Sequence, residues 1–213
     1  MITTSATSAT SALHAQLAQK GFVHIAYPHS KNFQFILEEL GTIIQTTQIR
    51  ENSQSTRLLC SNAGMDFHTD HYAARHIAWL CNSQSATGGE SVLIDSFSLL
   101  SRYSEQMRRM LSQVTVQSHK VFYNDKPFQP LLTLDEAGNP ESVYFARWLV
   151  NPVFDPKISQ ALKKLSADLQ AAIPFEILLC EGDLLIVDNH RILHGRKAFP
   201  AGAGRWLTRF WLS

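Results

Sequence analysis

The sequence predicts a mainly β protein, a sandwich or barrel of short strands with a few flanking helices. Short runs of β-branched and aromatic residues recur along the chain, and turn-forming Gly, Pro, Asn and Asp separate them. Only a few segments repeat apolar residues at helical spacing. The 213 residues suit one domain with a substantial core, expected to extend over residues 1–213, and the sequence shows no internal repeat or linker.

Helical periodicity and end signals pick out four segments. They are residues 11–20, 32–40, 96–111 and 156–172. Ser96 is the expected N-cap of the third of these helices. Residues 1–10 are rich in Ser, Thr and Ala and lack the basic start and apolar run of a secretion signal. We expect them to form a flexible tail.

Strand-like runs occupy most of the remaining chain. They are predicted at residues 22–26, 43–44, 58–60, 74–81, 91–94, 114–116, 120–123, 130–134, 143–150, 175–179, 184–187 and 205–212. Paired glycines at 88–89 and the cluster at 135–140 predict turns between them. Many short strands with few helices favour a two-layer or closed β architecture.

Composition excludes several classes of protein. Apolar residues make up 45% and charged residues 17%, as in globular proteins, and the net charge of +1 comes without a basic run. We therefore expect neither a nucleic-acid partner nor, for lack of a long apolar stretch, a membrane span. Cys60, Cys81 and Cys180 lie in apolar runs without CxxC spacing, which predicts buried, reduced thiols and a cytoplasmic location. The sequence leaves the oligomeric state open.

His68 and Asp70 are the first candidate metal ligands. In an extended segment, residues two apart point to the same face, so one imidazole and one carboxylate would aim at a common point. A further ligand is available downstream, where residues 188–196 contain both His190 and His194. Two histidines and one carboxylate are the ligand set of non-haem iron(II) oxygenases. His71 should point to the opposite face, towards a substrate.

Four motifs occur in a characteristic order over residues 60–213. They are His68-Thr69-Asp70, Gly88-Gly89-Glu90-Ser91, His194-Gly195-Arg196 and Arg205-Trp206-Leu207-Thr208-Arg209. With them the sequence resembles the iron(II)/2-oxoglutarate-dependent oxygenases, in the taurine dioxygenase-like branch that also holds clavaminate synthase and gamma-butyrobetaine hydroxylase. The resemblance implies a double-stranded β-helix, or jelly roll, and makes His194 rather than His190 the third iron ligand. Asp188 and Asn189 are expected to hold the loop before it through bonds to backbone.

The resemblance also assigns cosubstrate residues. Arg205 follows His194 by eleven residues, where the family binds the distal carboxylate of 2-oxoglutarate, and a planar guanidinium suits such a bidentate contact. Ser91 stands where relatives usually carry Thr, and keeps the hydroxyl. Arg209 is expected near the substrate or the keto-acid end. On a strand, Arg205 and Arg209 would share a face with Leu207 and Trp211.

The activity implied is hydroxylation of an unactivated C–H bond with molecular oxygen, as 2-oxoglutarate is converted to succinate and carbon dioxide. Asp70 argues against halogenation, since halogenases of this type lack the carboxylate. Candidate substrate residues are Tyr72, Arg75, Arg147 and His71, a mixture that suits a small carboxylate-bearing molecule such as an amino acid or derivative. The short chain, and the lack of a proline-rich run after Asp70, are departures from relatives on the substrate side.

Two other classes of function remain open from sequence. A cupin-like metal dioxygenase or isomerase without 2-oxoglutarate would not need Arg205. A non-catalytic ligand-binding jelly roll would not need the three metal ligands.

Overall fold

Two antiparallel β-sheets form the centre of the computed structural model, which describes residues 3–27, 32–52 and 58–213. The strands are β1 (Phe22–Ile25), β2 (Ile43–Arg50), β3 (Met65–His68), β4 (His76–Ser83), β5 (Ser91–Asp95), β6 (Thr115–Gln117), β7 (Phe128–Pro130), β8 (Leu132–Leu134), β9 (Pro140–Val143), β10 (Phe175–Ile177), β11 (Leu184–Asp188), β12 (Ile192–Arg196) and β13 (Trp206–Leu212). The helices are α1 (Thr3–Lys20), α2 (Asn32–Leu40), α3 (Ser96–Leu100), α4 (Glu105–Leu111) and α5 (Pro156–Ala171).

Strand order identifies the architecture. The major sheet has the order β1-β11-β4-β13-β2, the minor sheet has the order β10-β5-β12-β3, and β6-β7 and β8-β9 form separate pairs. From β2 to β5, and again from β10 to β13, successive strands alternate between the two sheets. This alternation is that of a jelly roll, so the predicted mainly β, double-stranded β-helix fold with flanking helices is confirmed.

The apolar run of β11 shows how the layers pack. Leu185 and Val187 point between the sheets, whereas Leu184 and Ile186 point outward against α1 and α2. All four side chains are fully buried, which explains why this strand is apolar without alternation. The outer face of the minor sheet is covered by α3, α4 and α5, with Leu193 of β12 in that cluster. Strands β11 and β12 are thus packed on both faces.

The prediction of one continuous helix over residues 96–111 is wrong, because two short helices, α3 and α4, occupy this segment. The carboxylate of Asp95, not the hydroxyl of Ser96, caps α3 by accepting from the backbone N–H groups of Phe97 and Ser98. The chain then leaves the helix, and Ser104 caps α4 by accepting from the N–H of Met107. Asp and Ser side chains compete for backbone donors in this way, so each one starts a new short helix.

Several predicted strands are also wrong. Residues 58–60 form a 3-10 helix, residues 120–123 form a bend and turn, and the strand predicted over 143–150 ends at Val143. A 3-10 helix, Arg147–Leu149, follows instead. By contrast, β12 was not predicted, because its five residues contain a histidine, a glycine and an arginine rather than a β-type run.

The chain start and the cysteines complete the comparison. Helix α1 begins at Thr3 instead of residue 11, Met1 and Ile2 lie outside the described residues, and the flexibility of residues 1–10 stays a prediction. Cys81 is buried, but Cys60 is partly exposed and Cys180 is exposed beside a turn, so burial was predicted correctly for only one of the three thiols. In the described part of the chain, none of the helices has the length and apolarity needed to cross a membrane.

Candidate metal and cosubstrate site

His68, Asp70 and His194 converge between the two sheets. One potential ligand atom from each lies within 4.8 Å of the others. The convergence follows from strand pairing, because β12 runs antiparallel to β3 and places His194 directly opposite His68. The two imidazole centroids are 4.4 Å apart. Asp70 follows two residues after His68, which ends β3.

Gly195 allows this close pairing. A Cβ atom at this position would lie 2.6 Å from the backbone oxygen of Met65 in β3. The register between the two strands also shifts between His194 and Arg196. A side chain at position 195 would push β3 away, and His68 with it.

The protonation states suit a divalent cation. The Nδ1 atom of His68 donates to the backbone oxygen of Asp66 at 2.8 Å, which leaves Nε2 free to ligate. Burial lowers the pKa of His68, and burial together with the neighbouring His68 lowers the pKa of His194 to about 3. For Asp70, burial acts to raise the pKa, but Arg209 and the two histidines outweigh it and lower the pKa to about 2. Two neutral imidazoles and one carboxylate at neutral pH fit iron(II).

Two side chains of β13 bind the carboxylate of Asp70. Nη1 of Arg209 donates to both oxygens, at 2.9 Å to Oδ1 and 2.8 Å to Oδ2. Nε1 of Trp211 donates to Oδ2 at 2.9 Å. The side chains of Asp70 and Arg209 are 8% and 10% exposed, so this ion pair is shielded from water.

The loop after β11 positions the backbone of the ligand turn. Asn189 accepts a hydrogen bond from the N–H of Asp70 at 2.8 Å and donates to the carbonyls of His71 and Ala74. Asp188 accepts from the N–H of His190 at 3.0 Å, so both residues bond to backbone as predicted. The amide of Asn189 therefore joins the strand that precedes His194 to the turn that carries Asp70.

We expect Asn189→Ala to lower the free energy of unfolding by about 2–4 kcal/mol, because it leaves buried backbone groups without partners. Asn189 is 1% exposed, so water cannot replace the lost bonds. The measurement is urea unfolding followed by circular dichroism, with the exposed Asn139→Ala as a control. A loss no larger than that of the control would show that the amide does not secure the turn.

An inner cavity extends from the metal ligands between the sheets. Ser91, Arg196, Arg205 and Arg209 contribute polar groups to its wall, and Leu93, Leu185 and Leu207 contribute apolar ones. The predicted cosubstrate residues Arg205, Ser91 and Arg209 therefore share one cavity with His68 and His194. Arg205 directly precedes β13 and lines the same cavity as Leu207 and Arg209 of that strand, in agreement with the predicted alternation.

Arg205 is a buried cation in need of an anion. It is 5% exposed, and its Nε atom has no hydrogen-bond partner among the described residues. No acidic side chain in the described ranges forms an ion pair with it. Burial, and then repulsion from Arg196, lowers the pKa of Arg205 to about 10. A carboxylate in the inner cavity would compensate for this desolvated charge.

An outer cavity lies on the other side of the metal ligands. Its volume is about 520 Å³, within the range of small-molecule sites. Its lining includes His68, Asp70 and Arg209, together with aromatic side chains such as Tyr144, Trp148 and Trp211. The ring of Trp148 lies 5.4 Å from that of His68. The two cavities thus meet at the candidate metal position.

Of the candidate substrate residues, His71 lines the outer cavity, whereas Arg75 and Arg147 line neither cavity. His71 lines the outer cavity, and its ring stacks on Trp211 at 5.6 Å. The hydroxyl of Tyr72 instead donates to Asp125 at 3.0 Å, so Tyr72 anchors the loop around residue 125. Neither Arg75 nor Arg147 is among the described residues that line either cavity.

Local contacts and local backbone structure place Arg75 and Arg147 outside both cavities. Arg75 donates to Asp188 at 2.8 Å, on the far side of the ligand turn. Arg147 falls on a 3-10 helix, which turns its side chain into a separate depression beside Asp66 and Ser166. This placement does not support substrate contact by either arginine, which stays a prediction.

Several site residues were not predicted. Trp79 packs edge-on against the His194 ring at 4.9 Å, and Tyr144 and His119 line the outer cavity. Trp79 could have been found from the alternation of β4, since it shares a face with Ile77 and Cys81. No local signal marks Tyr144 or His119, because long-range packing alone brings them to the cavity.

Comparisons with known proteins identify the family of this chain. The model of the family described as taurine catabolism dioxygenase TauD, TfdA family matches residues 18–211. Gamma-butyrobetaine dioxygenase of Homo sapiens is 27% identical over 177 residues, which cover 74% of this chain and 46% of that protein. The chain thus spans about half the length of this relative.

Solved structures show the same fold. A structure of asparagine oxygenase with Fe(II), 2S,3S-3-hydroxyasparagine and succinate has a TM-score of 0.77 at 17% identity, over 97% of this chain and 79% of that one. The non-heme iron oxygenase OrfP with Fe and alpha-ketoglutaric acid has a TM-score of 0.76 at 17% identity, over 97% and 80% of the chains. Because the family model covers nearly the whole chain, the protein belongs to the taurine catabolism dioxygenase TauD, TfdA family.

Proposed function

We propose that this protein is an iron(II)- and 2-oxoglutarate-dependent oxygenase that hydroxylates a C–H bond of a small polar metabolite, an amino acid or derivative. Residues 1–213 would form a single oxygenase domain. The observation that carries the proposal is the buried guanidinium of Arg205, without an acidic partner in the described chain, in a cavity that adjoins the ligand set. A cupin-like enzyme that does not use 2-oxoglutarate would not need this buried cation.

His68, Asp70 and His194 would hold the iron, which supplies oxygen activation and oxidative decarboxylation when bound. Arg205 would pair with the distal carboxylate of 2-oxoglutarate, and the hydroxyl of Ser91 would donate a hydrogen bond to it. The leucines of the inner cavity exclude water around these charges, which strengthens both contacts. Family membership and the cofactors of the structurally similar oxygenases support these assignments.

The outer cavity would bind the substrate above the metal. It adjoins His68 and Asp70, and the guanidinium of Arg209, whose Nη1 pairs with Asp70, lines it and would add positive charge for a carboxylate-bearing molecule. His71 would contribute to the wall. The relatives' own substrates, which include asparagine and gamma-butyrobetaine by their printed names, support an amino acid or derivative.

The compartment and partners form the remaining part of the proposal. Three unpaired cysteines suit a reducing compartment such as the cytoplasm. The near-neutral charge supports a small-molecule substrate rather than a nucleic acid or a membrane surface.

The test is oxygen uptake by the purified protein with iron(II) and 2-oxoglutarate across a panel of amino acids and derivatives, with succinate as the readout. We expect succinate formation that depends on 2-oxoglutarate and rises with one or a few panel members. Oxygen consumption or isomerisation that does not require 2-oxoglutarate would reject the proposal in favour of the cupin-like alternative.

Asp70 also predicts the type of product. We expect no chlorinated product from the unmodified protein in the presence of chloride, since the carboxylate occupies the position that a halide would need. The measurement is mass spectrometry of the products after turnover with chloride and then with bromide. A halogenated product from the unmodified protein would contradict this assignment of Asp70.

A further inference from the structure

We propose that Trp211 is a positioning residue for the metal site, whose indole N–H fixes Asp70 so that Oδ1 alone faces the metal. The inference rests on the proposed function, because it assumes that His68, Asp70 and His194 bind a metal. It adds a residue outside the four sequence motifs that point to the site.

The two oxygens of Asp70 have different surroundings. Oδ2 accepts from both Nη1 of Arg209 and Nε1 of Trp211, at 2.8 and 2.9 Å. Oδ1 accepts only from Arg209 among the described residues, and it lies 4.0 Å from Nε2 of His68. Oδ1 is thus the oxygen that lies near Nε2 of His68, whereas Oδ2 accepts hydrogen bonds from two donors.

The indole cannot easily turn away from Asp70. Strand β13 lies between β2 and β4, and Trp211 is paired with Gln45 on one side and Ile77 on the other. The residue is 6% exposed, and its ring is stacked on the ring of His71. A donor on a central strand, with its ring packed on one face, is held in a single orientation.

A fixed donor decides between two binding modes of the carboxylate. A free carboxylate can rotate and offer both oxygens to a metal, which would use a second coordination position. A charge-assisted N–H···O bond to Oδ2 opposes this rotation, and burial strengthens the bond. Removal of a hydrogen-bond partner of a metal ligand typically costs about 10–100-fold in metal affinity.

The experiment compares two tryptophans of the same strand. Trp211→Phe keeps an aromatic ring and removes the N–H donor. Trp206→Phe is the matched control, because the indole of Trp206 donates to Gln48 on the outer face of the sheet, away from the metal ligands. Co(II) titrations of the metal-free proteins, followed by visible absorption, give the dissociation constant and the coordination spectrum, and circular dichroism checks the fold.

We expect Trp211→Phe to weaken Co(II) binding about 10–100-fold and to change the cobalt spectrum, while Trp206→Phe leaves both as in the unmodified protein. Equal Co(II) affinity and spectra for Trp211→Phe and the unmodified protein would overturn the inference alone. Failure of the unmodified protein to bind Co(II) or iron(II) would overturn the proposed function and this inference together.

A measurement on the unmodified protein covers the case in which Trp211→Phe does not fold. Indole N–H signals in nitrogen-15 NMR spectra are assigned by elimination, with single Phe variants of Trp79, Trp148 and Trp206. We expect the Trp211 signal to exchange slowly with water and to shift on addition of Zn(II). A Trp211 N–H signal that exchanges fast with water and does not shift on addition of Zn(II) would contradict the proposal.

Discussion

His194→Ala is expected to abolish tight iron binding. Loss of a neighbour that only hydrogen-bonds a metal ligand costs about 10–100-fold in affinity, so loss of the ligand itself should cost at least about 100-fold. His194 lies opposite His68, and no other described histidine, cysteine or acidic group joins the cluster that could replace it. The measurement is anaerobic iron(II) binding by equilibrium dialysis, together with turnover.

His190→Ala is the matched control, four residues earlier. The ring of His190 accepts from Arg75 at 3.2 Å and donates to the carbonyl of Tyr72 at 2.9 Å, so both nitrogens already have partners. We expect this variant to keep iron affinity within a few-fold of the unmodified protein. Retention of activity by His194→Ala, with loss in His190→Ala, would show that the third ligand is His190.

Arg205→Ala is expected to lower the affinity for 2-oxoglutarate at least about tenfold. A charge-assisted hydrogen bond contributes about 1.5–3 kcal/mol, and each 1.4 kcal/mol corresponds to a factor of ten in affinity. Truncation would also leave the carboxylate of 2-oxoglutarate in an apolar cavity without a partner. The measurement is a 2-oxoglutarate titration of the anaerobic iron(II) protein, followed through the metal-to-ligand charge-transfer band.

Two further variants sharpen this test. Arg205→Lys should restore only part of the affinity, because it keeps the charge and loses the planar fork. Ser91→Ala should reduce the binding free energy of 2-oxoglutarate by about 1 kcal/mol, the usual contribution of a neutral hydrogen-bond donor.

Arg50→Ala is the control for lost charge. The side chain of Arg50 is exposed and stacks on Trp206 at 3.8 Å. Its removal should therefore leave the affinity for 2-oxoglutarate unchanged. An unchanged titration midpoint for Arg205→Ala would remove Arg205 from the site and favour the cupin-like alternative. Iron affinity should persist in all these variants, since no ligand is changed.

Much of the site could be predicted because its signals are local. The spacing of His68 and Asp70 and the alternation along β13 depend only on strand geometry, which has a period of two residues. Alternation placed Arg205, Arg209 and Trp211 on one face, and they do point inward. Where side chains competed for backbone donors, as at Asp95 and Ser104, local prediction failed.

The sequence by itself determined the residue types, their order and the inward face of the last strand. Only the tertiary structure decided which of these residues meet. Pairing of β12 with β3 brings His194 to His68 across more than a hundred residues, and the 3-10 helix at Arg147–Leu149 places Arg147 outside the outer cavity. Register between distant strands depends on packing of the whole sheet, so no local pattern could have shown that Arg209 and Trp211 bind Asp70 or that Arg205 is buried without an acidic partner in the described chain.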